Sequence, residues 1–350
     1  MTRLTLVMIA RDEAASIARA LESVRPHVDR MIVLDTGSVD DTRAIATACG
    51  AEVHEFAWCD DFAAARNAAL AHSDAAWNLV LDADEWMEGG ADALGPAALP
   101  ADRADFLGEV RIASRMDQAG VQGIGQSWIA RVLPRGVGYE GRLHEQPASD
   151  LPRVRLAIDI GHDGYAAENL ARKGSRNETL LMRELEAAPQ EPYLWFQMGK
   201  EHQARGRNPQ AALCFGEALR LAPARVPWRH ALVVRGMIAL KADGRLADAL
   251  ALADAEVANW LDSPDFYFVV GDLYLEAASL EPERALDHFL PVVESAWKRC
   301  LEIGERPELD GAVAGRGGHM AAHNLAVFYG TLGQSAQAAE YEALAARLRG

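Results

Sequence analysis

Leu79-Val80-Leu81-Asp82-Ala83-Asp84-Glu85-Trp86 is an apolar run that ends in two carboxylates one position apart. In an extended segment, residues i and i+2 point to the same side. Asp82 and Asp84 are therefore expected to project together where a buried strand emerges. Two neighbouring carboxylates repel, and a hard cation that favours oxygen ligands, most simply Mg2+ or Mn2+, relieves the repulsion. Such a cation can bridge to a substrate diphosphate. Asp-x-Asp is short enough to recur by chance, and a solvated acidic turn is its plain alternative. What precedes it gives it weight.

Strand and helix signals alternate through the first ninety or so residues. Strands are expected over 4–10, 30–35, 51–56 and 77–81, with helices over 14–24, 42–49 and 63–70. The first helix has Ile17, Leu21 and Val24 in helical spacing and ends near Pro26, while Asp40 and Asp41 suit the N-terminus of the second. Regular β-α-β alternation predicts a parallel, doubly wound sheet. Ligands of such sheets bind beyond the carboxyl ends of the strands, where Asp35, Asp82 and Asp84 all fall. The stretch 89–164 is less regular. Strands are expected over 106–114, 128–133, 142–145 and 157–160, completing the domain in antiparallel fashion with an acceptor-facing loop.

After Ala167 the pattern turns helical. With Pro192 as the first position of a 34-residue unit, Trp195, Met198, Gly199, His202, Ala211, Phe215, Ala218 and Pro223 nearly reproduce the tetratricopeptide spacing. Small residues let two antiparallel helices approach, and Trp195 with Phe215 is expected to fill the gap. Weaker copies run through Gly244, Ala249 and Ala253; through Tyr267, Gly271, Tyr274, Ala285 and Phe289 with an insertion; and through Leu325, Ala326, Tyr329, Gly333 and Ala338. Repeats bury their faces against neighbours, so about four helix pairs are expected. The glycine-rich stretch 309–318 interrupts them.

Composition narrows the function classes. The chain of 350 residues is long enough for two domains, and half of its residues are hydrophobic. A formal charge of −16 argues against nucleic acid, whose phosphates need a basic surface, and against a polybasic grip on anionic lipid. Lysine occurs only at Lys173, Lys200, Lys241 and Lys298, and with the many alanines this hints at a GC-rich bacterial genome. Cys49, Cys59, Cys214 and Cys300 form no CxxC pair or metal-ligand cluster. The first residues carry too short an apolar run for a signal peptide, and no span approaches a membrane helix. A cytoplasmic protein is expected.

Several motifs in fixed order carry a resemblance. They are Met8-Ile9-Ala10-Arg11-Asp12-Glu13, then Val33-Leu34-Asp35-Thr36-Gly37-Ser38-Val39-Asp40-Asp41-Thr42, then Ala65-Arg66-Asn67-Ala68-Ala69-Leu70 and Leu81-Asp82-Ala83-Asp84-Glu85. Arg142-Leu143-His144-Glu145 and Gly161-His162-Asp163-Gly164-Tyr165 follow. Through these the chain resembles a family-2 glycosyltransferase of GT-A fold with a C-terminal tetratricopeptide extension. Peptide S-glycosyltransferases and lipopolysaccharide-core sugar transferases share that arrangement. The first motif usually reads Lys-Asn where this chain has Arg11-Asp12. The resemblance implies an α/β GT-A catalytic domain over residues 1–168 and an all-α, TPR-like repeat domain over 169–350.

It further implies metal-dependent transfer of a sugar from a UDP-sugar, with Mn2+ or Mg2+ and with inversion at the anomeric carbon. Asp35 would contact the uracil or ribose, with a helix cap as its alternative. Arg66 and Asn67 would form a donor-side pair, a solvated helix face being the alternative. Ala10, Glu13, Asp82 and Ala83 would complete the donor contacts. Asp84 would be the principal metal ligand, Asp82 would lie nearer the ribose or metal-bound water, and His162 would complete the metal shell, with His144 a lesser claimant. Inversion requires a base opposite the leaving group. Glu145 is the candidate, weighed evenly against a surface carboxylate paired with Arg142. Trp86 and Trp128 either frame the sugar pocket or pack as core. The concave face of a repeat array suits a peptide or protein acceptor, with a saccharide or lipid-linked acceptor close behind. The repeats could instead form a homodimer. Nucleotidyl transfer and a noncatalytic nucleotide-binding adaptor are the other readings.

Overall fold

The computed structural model describes residues 3–118, 121–162 and 178–349, with side chains outside 115–124. They divide into two units, one of residues 1–122 and 127–180, the other of 123–126 and 181–350. The expected boundary at 168/169 lies outside the described residues, as do Asp163, Gly164 and Tyr165.

The first unit is built on one eight-stranded sheet. Its strands are β1 (Leu4–Ala10), β2 (Arg30–Asp35), β3 (Glu52–Glu55), β4 (Trp77–Val80), β5 (Glu85–Gly89), β6 (Leu107–Gln118), β7 (Val121–Pro134) and a last strand. Two short strands, β8 (Tyr139–Glu140) and β9 (Gln146–Pro147), form a separate ribbon ahead of that last strand, β10 (Arg153–His162). The order is β3-β2-β1-β4-β7-β6-β10-β5. β3, β2, β1 and β4 run parallel, and β7 is antiparallel to β4. β1 is almost wholly buried, as a strand covered on both faces must be. Helices α1 (Ile17–Val24) and α2 (Thr42–Ala48) pack into the core cluster of Leu4, Leu6 and Met8. Helix α3 (Phe62–Leu70) packs with Val7, Leu34 and Val80.

Three local expectations are corrected. Helix α1 begins at Ile17 rather than position 14, because the backbone N–H groups of Asp12, Glu13 and Ala14 donate to Ser38 Oγ, Thr42 Oγ1 and Asp40 Oδ2. Those bonds cross-brace the loops after β1 and β2, and the first helical bond runs from Ile17 N to the Glu13 carbonyl. Residues 141–144 are a run of bends rather than strand, with His144 at φ +55°. β10 pairs antiparallel with β5, as expected of this stretch, but parallel with β6.

The second unit is helical. A helix over 178–187, α4, is followed by α5 (Pro192–Ala204), α6 (Asn208–Leu221), α7 (Arg229–Ala242), α8 (Leu246–Glu256) and α9 (Pro264–Leu280). A single turn, α10 (Pro282–Arg284), passes through the π-helical segment Ala285–Phe289 into α11 (Leu290–Ile303). Helices α12 (His319–Thr331) and α13 (Ser335–Arg349) close the chain. The first repeat lies where its spacing predicts, across α5 and α6. Phe196, rather than Trp195, is the buried aromatic beside Phe215, while Trp195 turns its Nε1 to the Pro189 carbonyl at 2.9 Å. The π segment begins and ends on Ala285 and Phe289, two of the repeat positions expected for the third copy.

The glycine-rich stretch is a fastened loop. Buried Asp265 accepts from Val313 N at 2.9 Å and Arg316 Nη1 at 3.0 Å, and Glu305 accepts from Gly315 N at 3.0 Å. A Cβ at Gly317 would lie 2.1 Å from the Gly304 carbonyl oxygen, so the backbones meet too closely for any side chain there.

Candidate active site

Asp35 stands at the carboxyl end of β2, Asp82 and Asp84 lie between β4 and β5, and His162 ends β10. Asp35 ends β2 with a buried side chain. Its Oδ2 accepts from Gly37 N at 3.1 Å and Ser38 N at 3.0 Å, which fixes the turn after the strand. Its Oδ1 is buried and finds no hydrogen-bond partner among the described residues. The Oδ2 bonds hold the turn and do not cap the next helix, whose N-cap residue is Asp41. An unmet acceptor in a buried site fits an O–H or N–H group of a nucleoside.

Asp82 and Asp84 do not share an extended segment. Residues 81–84 leave the strand through a turn in which Glu85 N donates to the Asp82 carbonyl at 3.0 Å, and Asp82 N donates to Glu85 Oε2 at 3.0 Å. The turn sends the carboxylates to different partners. Asp82 accepts from Arg66 Nη2 at 2.6 Å on one oxygen and from Arg131 Nη2 at 2.8 Å on the other. Asp84 is buried, with its Oδ2 3.6 Å from His162 Nε2. His162 Nδ1 lies 3.0 Å from Ser114 Oγ, so a hydroxyl on the neighbouring strand orients the ring. Register pairs His162 with Ser114 on β6 and with Glu85 on β5, placing the three side by side across three strands.

Electrostatics follow from the packing. Burial disfavours the Asp82 carboxylate, but the guanidinium groups of Arg131 and Arg66 outweigh it and hold its pKa far below the usual range. Burial pushes Glu85 upward against the pull of Arg131, whose Nη2 donates to Glu85 Oε1 at 2.5 Å. Tyr139, buried and 5.4 Å from the Arg66 guanidinium carbon, is pushed up to about 12 by burial, against the opposing charges of Arg66 and Arg131. Arg66 is itself buried, and its Nε donates to Glu145 Oε1.

Asp84 and His162 present an oxygen and a nitrogen donor close enough to share one divalent ion; the carboxylate suits Mn2+ or Mg2+, and the imidazole nitrogen favours Mn2+ of the two. Among the described residues no group of three or more His, Cys, Asp or Glu converges into a metal cage. Further ligands would have to come from phosphate oxygens and water, as a cation bound mainly through its nucleotide requires. Asp82, both oxygens engaged by guanidinium groups, fits a positioning role better than a metal ligand.

Other candidates sit elsewhere in the geometry. Asn67 clamps β8: its Nδ2 donates to the Tyr139 carbonyl at 2.9 Å and its Oδ1 accepts from Tyr139 N at 2.7 Å. It copies the pairing of a strand residue, and both ends of its amide are engaged. The Ala10 carbonyl accepts from Thr36 N at 2.9 Å and Thr36 Oγ1 at 3.2 Å. The Glu13 carbonyl opens α1, and its carboxylate accepts from Ser16 Oγ at 2.8 Å. The Ala83 methyl is buried in the main core cluster. The Trp86 ring carries the Arg19 guanidinium 3.6 Å from its centroid and lies over Gly161, where a Cβ would meet the indole at 2.4 Å. Trp128 stacks with Arg155. Glu145 pairs with Arg66 rather than with Arg142, the partner in its alternative reading.

Sequence reasoning passed over Arg131, Glu85, Tyr139 and Ser114. Arg131 had a signal, because it is the lone charge in the apolar strand Trp128-Ile129-Ala130-Arg131-Val132-Leu133. A buried charge must find partners.

Residues 5–119 match the family model described as Glycosyl transferase family 2. The first unit carries a family 2 glycosyl transferase domain. Among curated proteins, a TPR repeat-containing protein of Synechococcus elongatus is 55% identical over 24% of this chain and 21% of its own length. The SPbeta prophage-derived glycosyltransferase SunS of Bacillus subtilis is 28% identical over 57% of this chain and 49% of its own length. The chain thus spans less than half the length of these relatives. Among solved structures, MamA from Desulfovibrio magneticus RS-1 covers 52% of this chain and 90% of its own at 18% identity and TM-score 0.40. Glucosyl-3-phosphoglycerate synthase from Mycobacterium tuberculosis, in complex with Mn2+, UDP and glucosyl-3-phosphoglycerate, covers 33% and 44% at 24% identity and TM-score 0.26. The glycosyl transferase domain is joined in the chain to helical repeats. No helix among the described residues is long and apolar enough to cross a membrane.

Proposed function

We propose that the protein is a metal-dependent, inverting glycosyltransferase that moves a sugar from a UDP-sugar to a peptide or protein acceptor, with the helical repeats engaging the acceptor. The observation that carries the reading is the Asp84–His162 donor pair beside the clamped Asp82, within the unit that matches family 2 over residues 5–119. Asp35 Oδ1 would accept from the nucleoside. Asp84 and His162 would hold the cation, whose chemistry is to neutralise charge on the departing diphosphate. Glu145 would take the proton of the acceptor nucleophile as its oxygen, nitrogen or sulfur forms the new bond to the anomeric carbon. The bond from that carbon to the diphosphate oxygen breaks on the opposite face, UDP leaves with the electron pair, and the configuration inverts.

The test is hydrolysis of a panel of UDP-sugars with Mn2+, comparing the full chain with Asp84→Ala and with a chelator control. Release of UDP from one sugar nucleotide, lost in both controls, supports the reading. No UDP release together with no UDP binding in calorimetry overturns it in favour of another nucleotide donor or an adaptor. With the donor known, Glu145→Gln should bind it normally and lose transfer. A peptide library and a set of saccharide acceptors then separate the acceptor classes.

A further inference from the structure

Arg66 resembles a donor contact by its motif, yet the structure engages it differently. Its Nε donates to Glu145 Oε1 and its Nη2 to Asp82 Oδ1 at 2.6 Å, so one buried guanidinium joins the candidate base to the nucleotide-side carboxylate. Arg131 holds the second oxygen of Asp82 and ties it to Glu85. A planar guanidinium has a fixed fork of donors, so the position of one partner constrains the other. Glu145 needs such a constraint. It lies outside regular strand, between the bends of residues 141–144, with left-handed His144 at φ +55°, and the two-residue strand β9 that begins at Gln146. Helix α3, by contrast, anchors Arg66 in a buried position, with Asp61 capping the helix through a bond from Ala64 N at 2.8 Å.

We propose that Arg66 is a positioning residue for the transfer step: it orients Glu145 from a rigid helix and fixes its distance from Asp82, and it does not bind the donor. The proposal rests on the glycosyltransferase reading above and assigns Arg66 a role within that site. It makes a kinetic distinction. Loss of a donor contact weakens donor binding and raises KM, whereas loss of a positioning contact lowers kcat and leaves donor binding in place. Misplacing a reacting group by about 1 Å costs on the order of 100-fold.

The experiment uses the full chain, Mn2+ and whichever of UDP-glucose, UDP-galactose or UDP-N-acetylglucosamine is hydrolysed, with UDP affinity measured by calorimetry. Arg66→Gln should lower kcat roughly 100-fold while KM and UDP affinity stay within about threefold. Arg66→Lys should recover part of the loss, since an ammonium can meet one carboxylate but not span both in the same plane. In a Glu145→Gln background, Arg66→Gln should add almost nothing, because residues acting as a unit are non-additive. A raised KM and weakened UDP binding with kcat intact would return Arg66 to the donor. Full additivity with Glu145→Gln would likewise overturn the proposal. An Arg66→Gln protein that unfolds shifts the test to Arg66→Lys, for which an unchanged kcat in a folded protein is the overturning result. A wild-type chain that neither hydrolyses a sugar nucleotide nor binds UDP overturns the glycosyltransferase reading and this one with it; an active wild type with the wrong variant pattern overturns this one alone.

Discussion

Asp84 Oδ2 stands 3.6 Å from His162 Nε2, although the two residues are 78 positions apart, because β10 lies beside the start of β5 and aligns His162 with Glu85. Strand pairing therefore brings a late histidine to an early carboxylate. If the pair holds the cation, each residue alone should be needed for metal affinity. His162→Ala should raise the Mn2+ concentration for half-maximal UDP-sugar hydrolysis by at least about tenfold, and Ser114→Ala, which removes the hydroxyl orienting the ring, by a smaller factor. Mn2+ titrations of the three proteins check this. An unchanged Mn2+ requirement in His162→Ala would remove the histidine from the shell.

Asn67 gives a prediction of the opposite kind. Its amide donates to and accepts from the Tyr139 backbone, and a Cβ at Gly138 would fall 2.7 Å from Asn67 Oδ1. The contact is a structural clamp, so Asn67→Ala should cost stability rather than donor affinity. Two partly exposed hydrogen bonds set the loss at about 1–2 kcal/mol. Urea unfolding measures it, and UDP calorimetry should show no change. Weakened UDP binding at full stability would place Asn67 on the donor after all.

How much of this could be read from the chain depended on the distance over which the signal acts. The strands up to Trp77 follow from local apolar runs, and the first repeat follows from spacing, because both are written in neighbouring residues. Strand β5 and the bends at 141–144 were not legible, since both depend on partners far along the chain. Asp82 and Asp84 were found as a motif but given the wrong geometry. The turn that separates them is set by Glu85 bonding back to Asp82, and by Arg66 and Arg131 arriving from 16 and 49 positions away. Arg66 and Asn67 are adjacent in sequence, yet one faces the carboxylates and the other the β8 backbone. Adjacency gave them one role where helical geometry gives them two.

Gly199 in α5 tests the packing of the first repeat. A Cβ there would lie 2.5 Å from the Phe215 ring, and Phe215 is fully buried against Phe196 and Ala218. In an unconstrained helix Gly→Ala stabilises by about 1 kcal/mol. Here the ring has nowhere to retreat, and overpacking a filled core costs about 1–3 kcal/mol. Gly199→Ala should therefore lower the melting temperature of the helical unit, against the propensity argument. Calorimetric scans of wild type and variant decide the sign, and a raised melting temperature would mean that α5 and α6 can move apart freely.

The guanidinium clamp on Asp82 predicts a particular dependence on pH. Burial alone would raise this carboxyl, but Arg131 and Arg66 hold its folded pKa well below the unfolded value of about 3.9. A folded pKa below the unfolded one means that the unfolded chain binds the proton first as the solution is acidified. The stabilisation is therefore fully present above about pH 4 and is lost as the pH falls from there toward the folded pKa. Asp82→Asn cannot titrate at this position and leaves two buried guanidinium groups short of a charge, so it should be clearly less stable than wild type at pH 6. That difference should narrow as the pH is lowered through 4 and below, because only the wild type loses the contribution. Urea midpoints at pH 6, 5, 4 and 3.5 measure the gap. A gap that stays constant to pH 3.5 would mean that Asp82 does not gain its charge-dependent stability from Arg66 and Arg131.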